Sequence, residues 1–156
     1  MRRNEREINN KHEIESILQK EIVCRIGVSN ENMPYVFPVN YAYCEGCLYF
    51  HSASEGMKMD IIKINPNVCF ELDVVHELLK TDESCNWGIK YESIIGFGKA
   101  NFVEAFEEKV KALDLIMRHY DKDNNGKELS YEYKEDMVKK VVVVKIVVES
   151  MTGKRA

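Results

Sequence analysis

Long apolar runs and an excess of positive charge are both missing from this sequence. No stretch of the 156 residues approaches the roughly 20 apolar residues that a membrane-spanning helix needs. The first residues also lack the apolar core of a signal peptide. The net charge is −4, so the composition is not that of a protein that binds nucleic acid. These absences predict a cytoplasmic protein that binds neither membranes nor nucleic acid.

Cysteine is present, but without the pattern of a disulfide framework or a zinc site. The count of five is odd, and a reducing compartment keeps thiols reduced. Cys44 and Cys47 have the spacing of half a zinc motif, yet no second pair completes four ligands. Glu45 and Gly46 between them are typical of a tight two-residue hairpin. We therefore expect the two cysteines to face each other across strands, with no metal bound.

Internal repeats, linkers and low-complexity tracts are missing as well, so residues 1–156 predict one domain with a single core. Segments rich in β-branched and aromatic residues predict about six strands, and helical periodicity predicts helices between them. This pattern indicates an α+β fold: a six-stranded antiparallel sheet with flanking helices, for which a barrel is favoured over an open sheet because closure removes exposed strand edges. The predicted strands are 21–29, 34–43, 47–53, 67–75, 93–104 and 141–149.

Two helices are predicted in the second half of the chain. Apolar residues at helical spacing predict a long helix over 105–120, with Phe106, Val110, Leu113 and Met117 on its apolar face. A short turn of helix is also expected within the segment EYKEDMVKK, before the last strand.

Pro38 interrupts the second predicted strand. Proline cannot donate a hydrogen bond to a strand ladder, so the strand must lie at an edge or bend at this point. Either arrangement leaves backbone groups available to a ligand.

The junction at residues 48–58 has the composition of an anion-binding site. His51 and Ser52 end a predicted strand, and Gly56 and Lys58 lie at the start of a predicted helix. Helix N-terminal amides, serine hydroxyls and a lysine ammonium together suit a phosphate. Ordinary helix caps have the same composition. An ordinary cap, with His51 filling the barrel, remains the alternative.

Residues 121–132, DKDNNGKELSYE, match the template of a calcium-binding loop. Glu128, however, lies where paired calcium loops have an aliphatic residue, and the sequence has no second loop. Asp, Asn and Gly are also the residues that exposed turns prefer. A connecting turn is the favoured interpretation, and no metal site is predicted.

Six segments of the sequence, taken in order, are MRRNEREI, MPYVFPVNYAY, LYFHSASEGMK, NPNVCFELD, YESIIGFGKANFVE and SMTGKR. Together they resemble the FMN-binding split-barrel family related to pyridoxamine 5'-phosphate oxidase, and most closely its nitroimidazole-resistance branch. The resemblance extends over nearly the whole chain. It implies a six-stranded split barrel that forms a homodimer, with FMN in clefts between the subunits.

The resemblance also implies roles for single residues. Lys58 would pair with the FMN phosphate, and Ser93 would border the cofactor. The oxidase has arginines where this chain has Phe37 and Met57, so pyridoxamine phosphate is not the expected substrate. The backbone of four residues would line the isoalloxazine: Pro38, Val39, Asn40 and Tyr41. Three others would approach the flavin and the ribityl chain: His51, Ser52 and Ala53.

The reaction implied by this branch is flavin-dependent reduction of a nitro group on a small aromatic molecule. His51 would donate a proton or a hydrogen bond there, because the ordinary histidine pKa is near neutrality. Two alternatives remain. His51 only shapes the pocket, or the chain is a non-catalytic flavin- or haem-binding protein of the same fold.

Overall fold

The structure is a computed structural model that describes residues 4–121 and 131–156. These residues form one antiparallel sheet of eight strands with four α-helices, which confirms the predicted α+β class. The helices are α1 (Lys11–Leu18), α2 (Met57–Ile64), α3 (Phe106–Tyr120) and α4 (Glu135–Lys140). The strands are β1 (Glu7–Ile8), β2 (Val23–Asn30), β3 (Met33–Asn40), β4 (Ala42–Cys44), β5 (Cys47–Ser52), β6 (Asn67–Leu79), β7 (Gly88–Val103) and β8 (Val142–Arg155).

The strands follow the order β3-β2-β6-β7-β8-β5-β4, and β1 pairs with the far end of β8. Within the described residues no ladder joins β3 to β4, so the sheet is split and full closure is not seen. Tyr41 alone separates these two strands, and one residue is too short a turn for them to fold back on each other. The count exceeds the predicted six because β1 is an additional strand and the predicted strand 34–43 divides at Tyr41.

The main core fills the concave face of the sheet. Strand alternation directs Cys24, Ile26 and Val28 of β2 inward, and Phe70 lies against them from β6. Gly96 of β7 faces the Phe70 ring so closely that a Cβ there would lie 2.1 Å from the ring Cζ. A glycine is therefore required by packing at this position.

A smaller core lies between α3 and the convex face of the sheet. Val103 and Val143 pack there against Ala112, and Tyr49 borders them. The buried residues of α3 are Ala112, Ile116 and His119, so the buried face lies about one position away from the predicted one. Of the residues predicted for the apolar face, Phe106 is exposed, and the other three are half-buried: Val110, Leu113 and Met117. Ala112 takes the central place because its small side chain lets the helix approach the sheet.

The structure also extends three strands beyond their predicted ends. β6 continues to Leu79 and β7 begins at Gly88, so both form a hairpin arm in which Leu78 pairs with Ile89. This arm is not predictable from the sequence, because its apolar residues are exposed and follow no regular alternation. β8 likewise continues to Arg155.

The remaining motifs have simple outcomes. Cys44 pairs directly with Cys47 as predicted, and positive φ angles at Glu45 (49°) and Gly46 (77°) form the hairpin turn between them. Residues 122–130 lie outside the described residues, so the interpretation of the calcium-like loop stays a prediction. No helix in residues 4–121 or 131–156 is both long and apolar enough to cross a membrane.

Candidate functional site

Strand β3 lies at the end of the sheet order, which confirms that Pro38 belongs to an edge strand. Pro34 and Pro38 lie opposite Ser29 and Arg25 of β2. Because proline has no amide hydrogen for the ladder, alternate residues of β3 direct their backbone groups away from β2. Asn40 belongs to the same alternate series. The Pro38 carbonyl and the Asn40 amide are therefore accessible along the edge.

The end of β5 contributes His51, Ser52 and Ala53. Alternation buries Ser52 on the concave face, while the side chain of His51 lies on the convex face and Ala53 is exposed. The Ser52 Oγ is buried without a hydrogen-bond partner among the described residues. An unpartnered buried hydroxyl costs about 1–3 kcal/mol, so this atom marks a place where a ligand group would be stabilised.

Lys58 is the second residue of α2. Its Nζ lies 5.5 Å from the centre of the Phe37 ring in β3, and Phe37 in turn contacts Phe50 of β5 at 6.2 Å between ring centres. These contacts bring the free edge of β3, the end of β5 and the start of α2 together. The described residues include no ion-pair partner for Lys58.

The start of α2 presents backbone amides beside Lys58. The amides of Met59 and Asp60 bond to the Gly56 carbonyl at 2.9 and 3.2 Å, whereas those of Met57 and Lys58 precede the first intrahelical bonds. Gly56 has a φ of 118°, which favours glycine. Free amides and an ammonium at one helix terminus suit a phosphate group.

His51 is electrostatically coupled to this cation. Partial burial, and secondarily the positive charge of Lys58, hold the pKa of His51 below its ordinary value of 6.5. Both effects therefore disfavour the protonated imidazole. A neutral imidazole offers one hydrogen-bond donor and one acceptor rather than a full positive charge.

The His51 side chain also lines a groove of about 380 Å³ whose other walls come from α3, α4 and the residues on either side of α4. Sequence reasoning missed this groove because its walls come from distant parts of the chain. The available signal was the apolar pair Met137 and Val138 within the polar segment EYKEDMVKK. The other lining residues are Leu113, Glu132, Tyr133, Lys134 and Val141.

Two predicted residues stand apart from this arrangement. The Tyr41 side chain is buried in the core, so its predicted contact with the cofactor could involve only its backbone and stays a prediction. On β8, Val143 pairs with His51 of β5 on one side and with Val103 of β7 on the other. Ser93 lies ten positions from Val103 along β7. At about 3.3 Å per residue this separation is on the order of 33 Å along the strand. Within one chain, Ser93 does not join the site.

Comparison with known proteins finds chains with a similar fold. A candidate 5-nitroimidazole antibiotic resistance protein from Bacteroides thetaiotaomicron is 37% identical, with a TM-score of 0.83 over 96% of this chain and 86% of that one. An FAD-binding protein from Mesorhizobium loti is 21% identical, with a TM-score of 0.71 over 97% of each chain. The flavocytochrome Anf3 from Azotobacter vinelandii is 13% identical, with a TM-score of 0.81 over 100% of this chain and 72% of that one. The last two similarities show a shared fold alone.

No curated relative matches the chain. The profile of one family, described as pyridoxamine 5'-phosphate oxidase, matches residues 10–155 and therefore almost the entire chain. That match and the 37% identity to the nitroimidazole-resistance relative show the family. The chain belongs to the pyridoxamine 5'-phosphate oxidase family.

Proposed function

We propose that this protein binds FMN and reduces small aromatic, nitroimidazole-like molecules. The observation that carries the proposal is the buried, unpartnered Ser52 Oγ at the end of β5, the strand whose Phe50 contacts Phe37 of β3, which in turn lies under the Lys58 cation. A phosphorylated flavin has a polar ribityl chain, an anionic end and a flat ring with hydrogen-bonding edges. The site offers a complementary group for each of the three.

Each part of the site has a role in holding the cofactor. Lys58 and the first amides of α2 bind the phosphate, because a cation and helix N-terminal amides both stabilise negative charge. Ser52 donates to or accepts from a ribityl hydroxyl. The backbone of 38–41 hydrogen-bonds the edge of the ring without specifying any side chain. When bound, the flavin supplies the electron transfer.

His51 orients the substrate in this proposal. Its neutral imidazole donates a hydrogen bond to a nitro oxygen or ring nitrogen, which holds the molecule against the flavin. A charged imidazolium is not required, and the depressed pKa of His51 disfavours one at neutral pH.

The proposal includes a homodimer. The convex face of β3, β2, β6 and β7 carries exposed apolar side chains at Val36 (62% exposed), Ile95 (44%) and Phe97 (54%). Such a cluster is typical of a protein interface. Ser93 alternates with Ile95 and Phe97 on the same face, so it would lie within such an interface.

Purification in air, followed by a visible spectrum, cofactor release and a mass measurement in solution, tests the proposal. We expect a yellow protein with one FMN per chain and twice the 18.2 kDa chain mass. A colourless monomer that does not bind added FMN contradicts it. A haem Soret band without flavin absorbance also contradicts it and favours the haem-binding alternative.

A further inference from the structure

The turn between β4 and β5 holds two cysteines directly opposite each other. Cys44 and Cys47 are partners in the antiparallel ladder, and only Glu45 and Gly46 separate them in the chain. Directly opposite residues of an antiparallel pair have Cα atoms about 4.5–5.5 Å apart and direct their side chains to the same face of the sheet. A disulfide requires a Cα separation of about 4.4–6.8 Å. The two thiols can therefore be joined without a movement of the backbone.

The backbone around this turn is held in place. The positive φ angles of Glu45 (49°) and Gly46 (77°) are those of a tight two-residue hairpin turn. The Gly46 carbonyl also accepts a 3.0 Å hydrogen bond from the Val148 amide, which attaches the turn to β8. The fold thus keeps Cys44 and Cys47 opposite each other in the reduced protein, where both thiols are free.

Both thiols of this pair are accessible to small molecules. Each cysteine is half-buried, and Cys44 borders a cavity of about 360 Å³ between β4 and α3. The other three cysteines of the chain are placed differently. Cys24 is fully buried, Cys69 lies opposite Phe97, and Cys85 is exposed in the turn that connects β6 to β7.

We propose that Cys44 and Cys47 form a reversible disulfide when the protein meets a small-molecule disulfide of the glutathione type. The inference goes beyond the proposed function, because the pair reacts without any flavin. Where thiols are normally kept reduced, protein disulfides are transient and serve catalysis or redox sensing. A dithiol that is aligned for oxidation and then reduced again is a site of this kind.

The reaction consists of two successive thiol–disulfide exchanges. The Cys47 thiolate attacks one sulfur of the small disulfide, which releases half of it as a thiol and leaves the other half on Cys47. The Cys44 thiolate then attacks the Cys47 sulfur and releases the second half. The two cysteines lose two electrons and two protons, and the small disulfide gains them. Cys47 attacks first because burial, and secondarily the charge of Glu45, raise the pKa of Cys44 above its ordinary value of 9.0.

Oxidation of the purified, fully reduced protein with oxidised glutathione tests the proposal. Trypsin cleaves after lysine and arginine, so residues 26–58 form one peptide that contains Cys44 and Cys47 and no other cysteine. Free thiols are blocked before digestion, and mass spectrometry then identifies the state of each cysteine. Cys85 is the internal control, because it is exposed and is the only cysteine of its peptide.

We expect the 26–58 peptide to lose both free thiols and two hydrogen atoms, without retaining glutathione. Cys85 should retain glutathione instead, because it has no second thiol opposite it. Dithiothreitol should restore both thiols of the pair. Glutathione retained on the wild-type 26–58 peptide, or two unreacted thiols in it, would overturn the inference.

The contribution of the fold is measured in a glutathione buffer of fixed composition. The ratio of disulfide to dithiol at Cys44 and Cys47 should be at least about tenfold higher in the native protein than in urea, because the hairpin raises the effective concentration of one thiol at the other. Equal ratios would show that the native hairpin does not align the pair, which also overturns the inference.

Single serine variants test the pairing and the order of attack. Cys44→Ser should trap glutathione on Cys47, whereas Cys47→Ser should acquire it on Cys44 more slowly. Cys85→Ser is the matched control and should form the internal disulfide as wild type does. Equal rates of glutathione uptake in the first two variants would overturn the assignment of Cys47 as the attacking thiol.

Discussion

The Tyr41 hydroxyl donates a 2.7 Å hydrogen bond to the Leu18 carbonyl, and this bond ties the split in the sheet to the end of α1. Tyr41 is fully buried, and its ring centre lies 5.1 Å from that of His119 on α3. The His119 imidazole contacts the Gln19 Oε1 at 3.2 Å and the Glu21 carbonyl at 2.7 Å. Buried polar contacts, rather than a strand ladder, therefore hold α1 and α3 at the break between β3 and β4.

Tyr41→Phe should destabilise the protein by about 1–3 kcal/mol, because it leaves the buried Leu18 carbonyl without its donor. Urea unfolding, followed by circular dichroism, measures the change. Tyr35→Phe is the control: Tyr35 is half-buried and packs on Phe37 at 5.6 Å, and its loss should cost less than about 0.5 kcal/mol. Equal costs for the two variants would show that the Tyr41 hydrogen bond does not contribute.

Gly96→Ala should destabilise the fold by about 1–3 kcal/mol or more, because the new methyl would overlap the buried Phe70 ring. Gly27→Ala is the matched control in the same sheet, since a Cβ there would meet its nearest atom at 3.7 Å, an ordinary contact. The midpoint of thermal unfolding distinguishes the two. A Gly96→Ala protein as stable as Gly27→Ala would mean that the ring moves aside without cost.

The sequence predicted the elements of the fold better than their ends. Alternation of apolar residues in β2 and the edge position of Pro38 follow from local chemistry, so both were predictable. The buried face of α3 was not, because His119 is polar and is buried only when Gln19 and Glu21, about 100 positions away, supply acceptors. Long-range hydrogen bonds of this kind have no local signal in a sequence.

The candidate site shows the same division. His51, Ser52 and Lys58 are close in the chain, and the composition of their strand-to-helix junction was enough to predict an anion site. The groove walls at Leu113 and Met137 come from other elements, so only the folded chain places them beside His51. The distance of Ser93 from this junction was likewise invisible in the sequence, because it depends on strand register.

Lys58→Met should weaken FMN binding by about 10- to 100-fold, because a hydrogen bond to a charged group contributes about 1.5–3 kcal/mol. Lys58→Arg should retain most of the affinity. Quenching of flavin fluorescence measures both. Riboflavin is the control ligand, since it lacks the phosphate and should bind wild type and Lys58→Met with similar affinity. A loss of affinity that is equal for FMN and riboflavin would contradict the assignment of Lys58 to the phosphate.

The pKa of His51 should be below 6.5 in the native protein, and Lys58→Met should raise it without reaching 6.5. Burial is the larger cause of the depression and remains in the variant, whereas the repulsion from the Lys58 charge is removed. Because the folded state disfavours the protonated imidazole, the stability that His51 contributes is complete above pH 6.5 and is lost as the pH falls through its lowered native pKa. Titration of the His51 ring protons by NMR measures the pKa in both proteins.

Lys63→Met is the matched control for this titration. Lys63 lies on the same helix and pairs with Asp60 at 3.8 Å, and it is not among the causes of the His51 shift. Removal of its charge should therefore leave the His51 titration unchanged. A native pKa at or above 6.5, or equal shifts in the two lysine variants, would mean that Lys58 and His51 do not share one electrostatic site. The neutral hydrogen-bond role of His51 would then lose its physical basis, because an imidazole that is charged near neutrality would act as an acid instead.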